Sequence, residues 1–264
     1  MLDKNISFCY NQLISQRNLL EILRKVGIEK SDTICVHSDL VKLGKPATNS
    51  KNEFLERIME SLIESVGSTG TIIMPTFTYS FCKGEVYDVE KTPSTVGILT
   101  EYFRKMQQVK RTKDAIFSHA VYGKDQEYYL DIGNDCFGKK SIYEKMHQKN
   151  AKLVLLGTRT KEFTFFHYIE QSIGVPYRFT KRFKGEIREK TTVSDSYFDY
   201  YVRYLDKPSI IDSDKIAAFL SQKGSFREEK LGYGEIVSVE LDLFYSNVIK
   251  KMKENKESFI KKEK

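Results

Sequence analysis

Four histidines, at positions 37, 119, 147 and 167, are the side chains best suited to proton transfer near neutral pH. His147 falls in a charged stretch, whereas the other three lie within or beside apolar segments. A histidine in an apolar segment is either a catalytic group with a shifted pKa or a hydrogen-bonded structural residue. The sequence around each histidine must therefore separate the two roles.

His167 differs from the others in its distance from a carboxylate. Glu170 follows at i+3, so a helix would place both side chains on one face. There the carboxylate could orient the imidazole and stabilise its protonated form, which is half of a catalytic triad. An ordinary i, i+3 helix pair, worth about 0.2–0.5 kcal/mol, has the same spacing and remains the alternative.

Covalent catalysis has little support in the sequence. Neither Ser38 nor Ser118 lies in a G-x-S-x-G elbow, and the four cysteines form no C-x-x-C pair. A Walker loop, a strand-following G-x-G-x-x-G and an H-E-x-x-H motif are also absent. We therefore expect reduced cysteines and no metal site, and we disfavour hydrolase, dehydrogenase and zinc-protease functions.

The hydrophobic pattern predicts an α/β scaffold for these residues. The predicted helices span 11–26, 52–66, 141–149 and 163–173, and the predicted strands span 33–36, 71–74 and 151–156. The last strand is followed by a polar loop at 157–160. Continuous apolar strands between helices are typical of parallel sheets buried on both faces. We expect a mostly parallel central sheet flanked by helices.

From about residue 180 the sequence alternates between charged and aromatic residues, which predicts antiparallel strands with one solvated face. A helix near 213–222, two strands around 232–234 and a final charged helix complete the chain. We predict an α/β body at 1–178 and a smaller antiparallel C-terminal lobe at 179–264. With no repeat or linker between them, the two should share one core as a single domain.

Five ordered sequence blocks stand out along the chain. They are 36–40 with 43–44, then 70–78, 93–104, 111–112 with 117–123, and 155–157 leading into 166–170. Together they resemble the aminoglycoside 3-N-acetyltransferase family of CoA-dependent enzymes. The resemblance implies an aminoglycoside 3-N-acetyltransferase-like α/β fold and an acyl-CoA-dependent N-acyltransferase.

The resemblance also implies roles for particular residues. His167 takes the place of the family's catalytic base, which removes a proton from the acceptor amine, and Glu170 would orient it. Thr76 is our choice for the oxyanion donor. Transfer would be direct, without an acyl-enzyme. The residues implied to line the acyl-CoA site are His37, Ser38, Asp39, Leu40, Pro75, Thr76 and Ser118.

One block departs from the family pattern. Where the family commonly has Arg-Ser followed by His-Pro, this chain has Arg111-Thr112-Lys113-Asp114-Ala115. The change puts the identity of the acceptor in doubt. We expect the acceptor to be recognised by this segment together with the C-terminal lobe.

The net charge of +7 bears on the acceptor. A positive protein attracts anionic ligands and repels an aminoglycoside polycation. We therefore favour a nucleotide-linked (dTDP or UDP) deoxyamino sugar for surface polysaccharide biosynthesis, receiving an acetyl or short hydroxyacyl group. The alternative is an aminoglycoside 3-N-acetyltransferase that confers antibiotic resistance.

Other partners are disfavoured by the sequence. A nucleic-acid binding surface would need basic and aromatic residues interleaved on one face, for which only 178–188 is a candidate. Residues 1–5 do not begin a signal peptide, and no stretch approaches the roughly 20 apolar residues of a membrane span. We expect a cytoplasmic protein that binds neither nucleic acid nor membrane. The oligomeric state is open, and a homodimer is compatible with the sequence.

Overall fold

The computed structural model describes residues 3–158 and 163–261. Its strands are β1 (Asn5–Cys9), β2 (Gln12–Ser15), β3 (Thr33–Ser38), β4 (Lys45–Pro46), β5 (Thr71–Pro75), β6 (Tyr87–Asp88), β7 (Lys110–Arg111), β8 (His119–Gly123), β9 (Lys152–Leu156), β10 (Arg178–Glu189), β11 (Thr192–Arg203), β12 (Arg227–Leu231) and β13 (Gly234–Glu240). Arg159 and Thr160, the second half of the predicted polar loop, lie outside the described residues.

The helices follow the predicted order. They are α1 (Gln16–Lys25), α2 (Lys51–Val66), α3 (Ser80–Lys83), α4 (Ile98–Arg104), α5 (Gln126–Leu130), α6 (Ile142–Gln148), α7 (Phe165–Ile173), α8 (Ser213–Gln222) and α9 (Leu241–Glu254). The first helix begins five residues later than predicted because Ser15 and Asn18 form a reciprocal capping box, and residues 12–15 are a strand. The main helices of the body are otherwise placed as the apolar spacing predicts.

The central sheet has seven strands in the order β12-β13-β9-β3-β5-β8-β7. Strand β3 pairs in parallel with β9 and β5, whereas every other pair of this sheet is antiparallel. The predicted α/β class is confirmed, and the sheet is parallel at its centre and mixed overall. The direction of the flanking strands was not predictable, because a strand buried on both faces has the same apolar sequence in either direction.

Helices pack on both faces of this sheet. The alternating residues of β3 separate two hydrophobic cores: Ile34 and Val36 pack with α1 and α2, while Cys35 packs on the opposite side with α6, α7 and α9. This alternation is the period of two expected for a strand. Helix α7, which carries His167, packs beside α9 in the core on this face of the sheet.

The C-terminal strands differ from the predicted arrangement. The lobe sheet contains β10, β11 and the two-residue β6, whereas β12 and β13 extend the central sheet by pairing β13 with β9. The physical reason is burial: Ile236 and Val237 point to opposite faces of β13 and are both fully buried. A strand with two apolar faces belongs inside a sheet that is covered on both sides.

The carboxyl ends of β9, β3 and β5 meet at one edge of the central sheet. In open α/β sheets this edge is the common place for a ligand site. Asp39 follows β3, Thr76 follows β5 and Gly157 follows β9. The loop after β9 then leads to α7, so the edge and His167 are linked by a short segment of chain.

Gly157 fixes how closely the loops at this edge approach each other. Its φ is +81°, and a Cβ built on it would lie 2.3 Å from the Asp39 carbonyl oxygen. Asp39 in turn donates its backbone N–H to the Leu156 carbonyl at 2.9 Å. Only glycine meets both the left-handed backbone and the close approach.

We expect Gly157→Ala to lower the free energy of unfolding by about 3 kcal/mol, since it adds steric overlap to a strained backbone. The matched control is Gly224→Ala, where φ is +69° and no atom lies within 4 Å of the added Cβ. That variant should lose only about 1 kcal/mol. Urea unfolding of both variants measures the difference, and equal losses would show that the contact with Asp39 does not constrain the edge.

Candidate functional site

His167 lies in the first turn of α7, close to the start of the helix. Its Nδ1 lies 2.7 Å from Oε2 of Glu170, one turn later on the same face. The Glu170 side chain is fully buried, while the His167 side chain is 20% exposed. The helix therefore brings the two residues together as their spacing predicts, with the imidazole reaching solvent and the carboxylate beneath it.

Arg178, the first residue of β10, also contacts Glu170. Its Nε lies 2.7 Å from the same carboxylate oxygen, in charge contact without an aligned hydrogen bond. Its Nη1 donates to the Tyr201 carbonyl at 3.1 Å. Since its side chain is 4% exposed, Arg178 supplies the positive charge that a buried carboxylate needs.

Burial lowers the pKa of His167 below its usual value of 6.5. The hydrogen bond and the charge of Glu170 oppose this shift, whereas the nearby Arg178 charge adds to it. The imidazole is accordingly neutral at pH 7. With Nδ1 bonded to Glu170, Nε2 is the nitrogen with a lone pair available to accept a proton.

A cleft of about 810 Å³ opens beside His167. Its remaining walls come from the β10–β11 hairpin and the segment that follows it. The other described lining residues are Arg178, Phe179, Lys181, Phe183, Tyr200, Val202, Arg203, Tyr204, Leu205, Ser209, Ile210 and Ile211. The cleft is large enough for a small-molecule acceptor and places it next to the basic nitrogen.

The residues predicted to line an acyl-CoA site gather at the carboxyl edge of the central sheet. Ser38 and Asp39 are half-buried there, and the remaining members are buried: His37, Leu40, Pro75, Thr76 and Ser118. The edge is thus built from the predicted residues, although only Ser38 and Asp39 among them present substantial surface. Their role in CoA binding stays a prediction.

The Thr76 hydroxyl forms hydrogen bonds with two neighbouring side chains. Its hydroxyl donates to Ser118 Oγ at 3.2 Å and accepts from Arg111 Nε at 3.0 Å. Ser118 Oγ in turn donates to the Thr76 carbonyl at 2.7 Å. Because the Thr76 side chain is fully buried, it could donate to an oxyanion only after releasing Ser118. The predicted oxyanion role is therefore left as a prediction.

The other histidines have different surroundings. Burial lowers the pKa of His37 to about 4 and that of His119 to about 3, and the charge of His37 adds to the lowering of the His119 pKa. His119 Nδ1 contacts the Phe117 carbonyl at 2.8 Å. His147 stacks on Tyr245 with a centroid distance of 4.2 Å. Of the four, only His167 lines the described cleft.

The segment that departs from the family pattern does not line the cleft. Arg111, Thr112 and Asp114 are all buried. Asp114 accepts the backbone N–H groups of Ile116 and Phe117, each at 2.8 Å, and burial raises its pKa to about 6. These residues hold the turn before β8, so acceptor recognition by this segment is not what the structure favours.

The cleft adds residues to which the sequence reasoning assigned no role, above all Arg178, Lys181 and Arg203. The alternation of residues 178–184 predicted a strand with two unlike faces. It gave no information about which face would meet His167, since that depends on how the hairpin docks. The contact between Glu170 and Arg178 joins helix α7 to strand β10, so the period of neither element predicts it.

Within residues 3–158 and 163–261, no group of three or more His, Cys, Asp or Glu side chains is placed to hold a metal ion. The same described ranges contain no helix that is both long enough and apolar enough to cross a lipid bilayer. The cysteines of these ranges are free thiols.

A sequence profile of the aminoglycoside 3-N-acetyltransferase family matches residues 35–253. The match covers most of the chain and includes the His167–Glu170 pair, the sheet edge and the hairpin. The chain belongs to this family. The predicted family is confirmed, and with it the enzyme class, an N-acyltransferase that uses acyl-CoA.

Known relatives agree with this assignment. The SPbeta prophage-derived aminoglycoside N(3')-acetyltransferase-like protein YokD of Bacillus subtilis (strain 168) is 25% identical over 191 residues, which are 62% of this chain and 66% of that protein. The structure of AAC-VIa bound to sisomicin has a TM-score of 0.79 at 17% identity, over 90% of this chain and 97% of the other. AAC-IIIb in a binary complex with CoASH has a TM-score of 0.77 at 18% identity, over 94% and 98%. The two structures confirm the fold.

The contact between His167 and Glu170 predicts how kcat/KM depends on pH. Because burial holds the pKa of His167 below 6.5, the acid limb of kcat/KM should lie below pH 6.5. Glu170→Gln removes the hydrogen bond and charge that raise this pKa, so the limb should move to lower pH and kcat should fall. Titration of the His167 ring by NMR would follow the same shift, with His147 as internal reference.

Glu170→Gln also leaves the Arg178 charge buried and unpaired, which costs about 3–5 kcal/mol in comparable pairs. Circular dichroism should therefore establish that the variant is folded, and Glu170→Asp, which keeps the charge, serves as the matched variant. An acid limb that moves to higher pH in Glu170→Gln would contradict the assigned contact.

Proposed function

We propose that this protein transfers an acetyl group from acetyl-CoA to a primary amine of an amino sugar, with His167 as the general base. The observation that carries the proposal is the His167–Glu170–Arg178 array at the wall of a cleft of about 810 Å³. The array supplies a neutral imidazole that can accept a proton from the acceptor amine.

The chemistry of His167 follows from its neighbours. Acyl-CoA supplies the thioester carbonyl that the acceptor amine attacks. His167 Nε2 takes the proton that the amine nitrogen loses as its bond to the carbonyl carbon forms. The resulting imidazolium donates its Nδ1–H to the buried Glu170 carboxylate, which stabilises the charge. The same Nε2–H can then be returned to the departing CoA sulfur, so the base is regenerated.

The carboxyl edge of the sheet fits the CoA part of the substrate. Three strand ends meet there, and the half-buried Ser38 and Asp39 offer polar groups at the surface. We propose that these two residues and Leu40 contact the cofactor. The buried His37, Pro75, Thr76 and Ser118 then form the base of the edge, where Thr76 and Ser118 are hydrogen-bonded to each other.

Two classes of amino sugar are candidate acceptors. The names of the relatives favour an aminoglycoside, so an aminoglycoside 3-N-acetyltransferase activity is the first to test. The nucleotide-linked amino sugar expected from the net charge has no counterpart among these relatives. One observation favours it as the second candidate: the cleft beside His167 is lined by cations. We keep the cytoplasm as the proposed location and a homodimer as a proposed assembly.

We expect His167→Asn to lower kcat by roughly 10²–10⁴-fold, since proton transfer to the base is lost, while CoA binding stays nearly unchanged. Release of free thiol from acetyl-CoA measures the rate, with kanamycin and a dTDP-linked 4-amino sugar as acceptors. Calorimetric titration with CoA measures binding. His147→Asn is the matched control, since His147 lies outside the cleft. Full activity of His167→Asn would exclude the proposed base.

A further inference from the structure

A short turn at residues 134–138, between α5 and α6, packs against the imidazole of His167. Phe137 is fully buried, and the centroid of its ring lies 5.2 Å from that of His167, at an interplanar angle of 69°. This is an edge-to-face contact, one of the geometries that aromatic pairs prefer. Since Glu170 already bonds to Nδ1 of His167, a second ring packed against the imidazole restricts its rotation.

The carboxylate of Asp135 ties this turn to the helix that carries the base. Nε2 of Gln171 lies 3.0 Å from Oδ1 and 2.8 Å from Oδ2 of Asp135. Gln171 follows His167 at i+4, so the two side chains lie on the same face of α7. The turn therefore meets α7 at two neighbouring points, through a hydrogen bond at Gln171 and a ring contact at His167.

The turn is also held from within and by the hairpin. Oδ1 of Asp135 accepts the backbone N–H groups of Phe137 at 3.1 Å and of Gly138 at 2.8 Å. The backbone N–H of Cys136 donates to the Asp199 carbonyl of β11 at 2.9 Å. Phe137 is thus placed by hydrogen bonds on both of its sides, which fixes the position of its ring relative to α7.

Gly138 leaves the space that this arrangement needs. A Cβ built on it would lie 2.2 Å from Oδ2 of Asp135 and 2.6 Å from Nε2 of Gln171. Its φ is not positive, so an alanine there would meet these two side chains without straining the backbone. Gly133, in the same loop, also lacks a positive φ, and its Cβ would meet nothing closer than 3.2 Å.

We propose that Phe137 is a positioning residue for the base, held in place by the contact between Asp135 and Gln171. Its ring keeps the imidazole in the orientation in which Nδ1 bonds to Glu170 and Nε2 is free for the acceptor amine. A misplacement of about 1 Å in an active site can cost roughly 10²-fold in rate. This role rests on the proposed function, because Phe137 acts only through His167.

The pKa of His167 gives a readout that a purely structural role would not change. The charged groups that act on the imidazole are Glu170 of its own helix and Arg178 of β10. Further titratable side chains of the turn and the cleft walls are Asp135, Cys136, Lys181, Tyr200, Arg203 and Tyr204. Replacing Phe137 keeps all of these groups and removes only apolar cover. Since burial lowers the pKa of His167, losing cover raises it, which is opposite in sign to Glu170→Gln.

The test compares Phe137→Leu and Gly138→Ala in the full-length protein, each with a matched control. Phe103→Leu removes the same ring from a fully buried position in the core on the opposite face of the sheet. Gly133→Ala adds the same methyl group to the same loop. Thiol release from acetyl-CoA with kanamycin as acceptor gives kcat and KM as functions of pH. NMR titration of the His167 ring gives its pKa without any substrate.

We expect Phe137→Leu to lower kcat about tenfold, with KM for acetyl-CoA within about twofold and the pKa of His167 raised. Gly138→Ala should act in the same directions and by less, because Asp135 and Gln171 have to move apart while the ring is retained. Both controls should keep the kcat and the acid limb of the unmodified protein. If Phe137→Leu does not fold, Gly138→Ala still provides the test.

An unchanged His167 pKa in both Phe137→Leu and Gly138→Ala would show that Phe137 only fills the core, and would overturn the positioning role. An equal shift in Phe103→Leu would overturn it as well. The NMR titration also separates this role from the proposed function. A raised pKa in the two variants, with no acetylation by the unmodified protein, would support the positioning of the ring and refute the transferase proposal. Acetylation with the same kcat in both variants would do the opposite.

Discussion

The buried carboxylate of Glu170 is the group on which the candidate site depends. It lies at contact distance from two cationic or potentially cationic side chains, His167 above it and Arg178 beside it. Burying a carboxylate is costly unless an opposite charge accompanies it, and the Glu170 side chain has zero exposure. Arg178 supplies that charge, and Glu170 contacts Nδ1 of His167. Helix α7 and strand β10 therefore have to be docked correctly before the base exists at all.

The C-terminal hairpin therefore contributes directly to the candidate site, because it supplies Arg178. Arg178 opens β10, and its Nη1 also holds the Tyr201 carbonyl of the neighbouring strand. The hydroxyl of Tyr201 donates to the Val175 carbonyl at 2.9 Å, which ties the hairpin back to the end of α7. Two hydrogen bonds and one charge contact thus join His167, Glu170 and the hairpin at the border of body and lobe.

The sequence predicted the parts of this arrangement that depend on local spacing. The i, i+3 pair of His167 and Glu170 and the α/β rhythm follow from periodicity, and the family resemblance groups residues 37–40 and 75–76 at one acyl-CoA site. Features that depend on long-range packing were not predictable. The antiparallel entry of β13 beside β9 and the contact of Arg178 with Glu170 are set by docking of distant segments, which no local pattern encodes.

The buried hydroxyl of Thr76 shows a further limit of the sequence. A threonine at a strand end has the right chemistry for an oxyanion donor, but burial and partners decide whether its proton is available. Here Arg111 and Ser118 surround it. In the segment that departs from the family pattern, the Arg111, Thr112 and Asp114 side chains are buried, whereas Lys113 is exposed and pairs with Glu189.

The pleat of β10 has a consequence for how the enzyme could diversify. Successive side chains of a strand point to opposite sides, so Phe179, Lys181 and Phe183 face the cleft while Arg182 bonds to Asp199. Replacements at Phe179 and Lys181 therefore change the surface of the cleft without touching the Arg182–Asp199 pair, whereas Phe183 also packs against the core. A library randomised only at these odd-numbered sites would explore new acceptors on an unchanged catalytic frame.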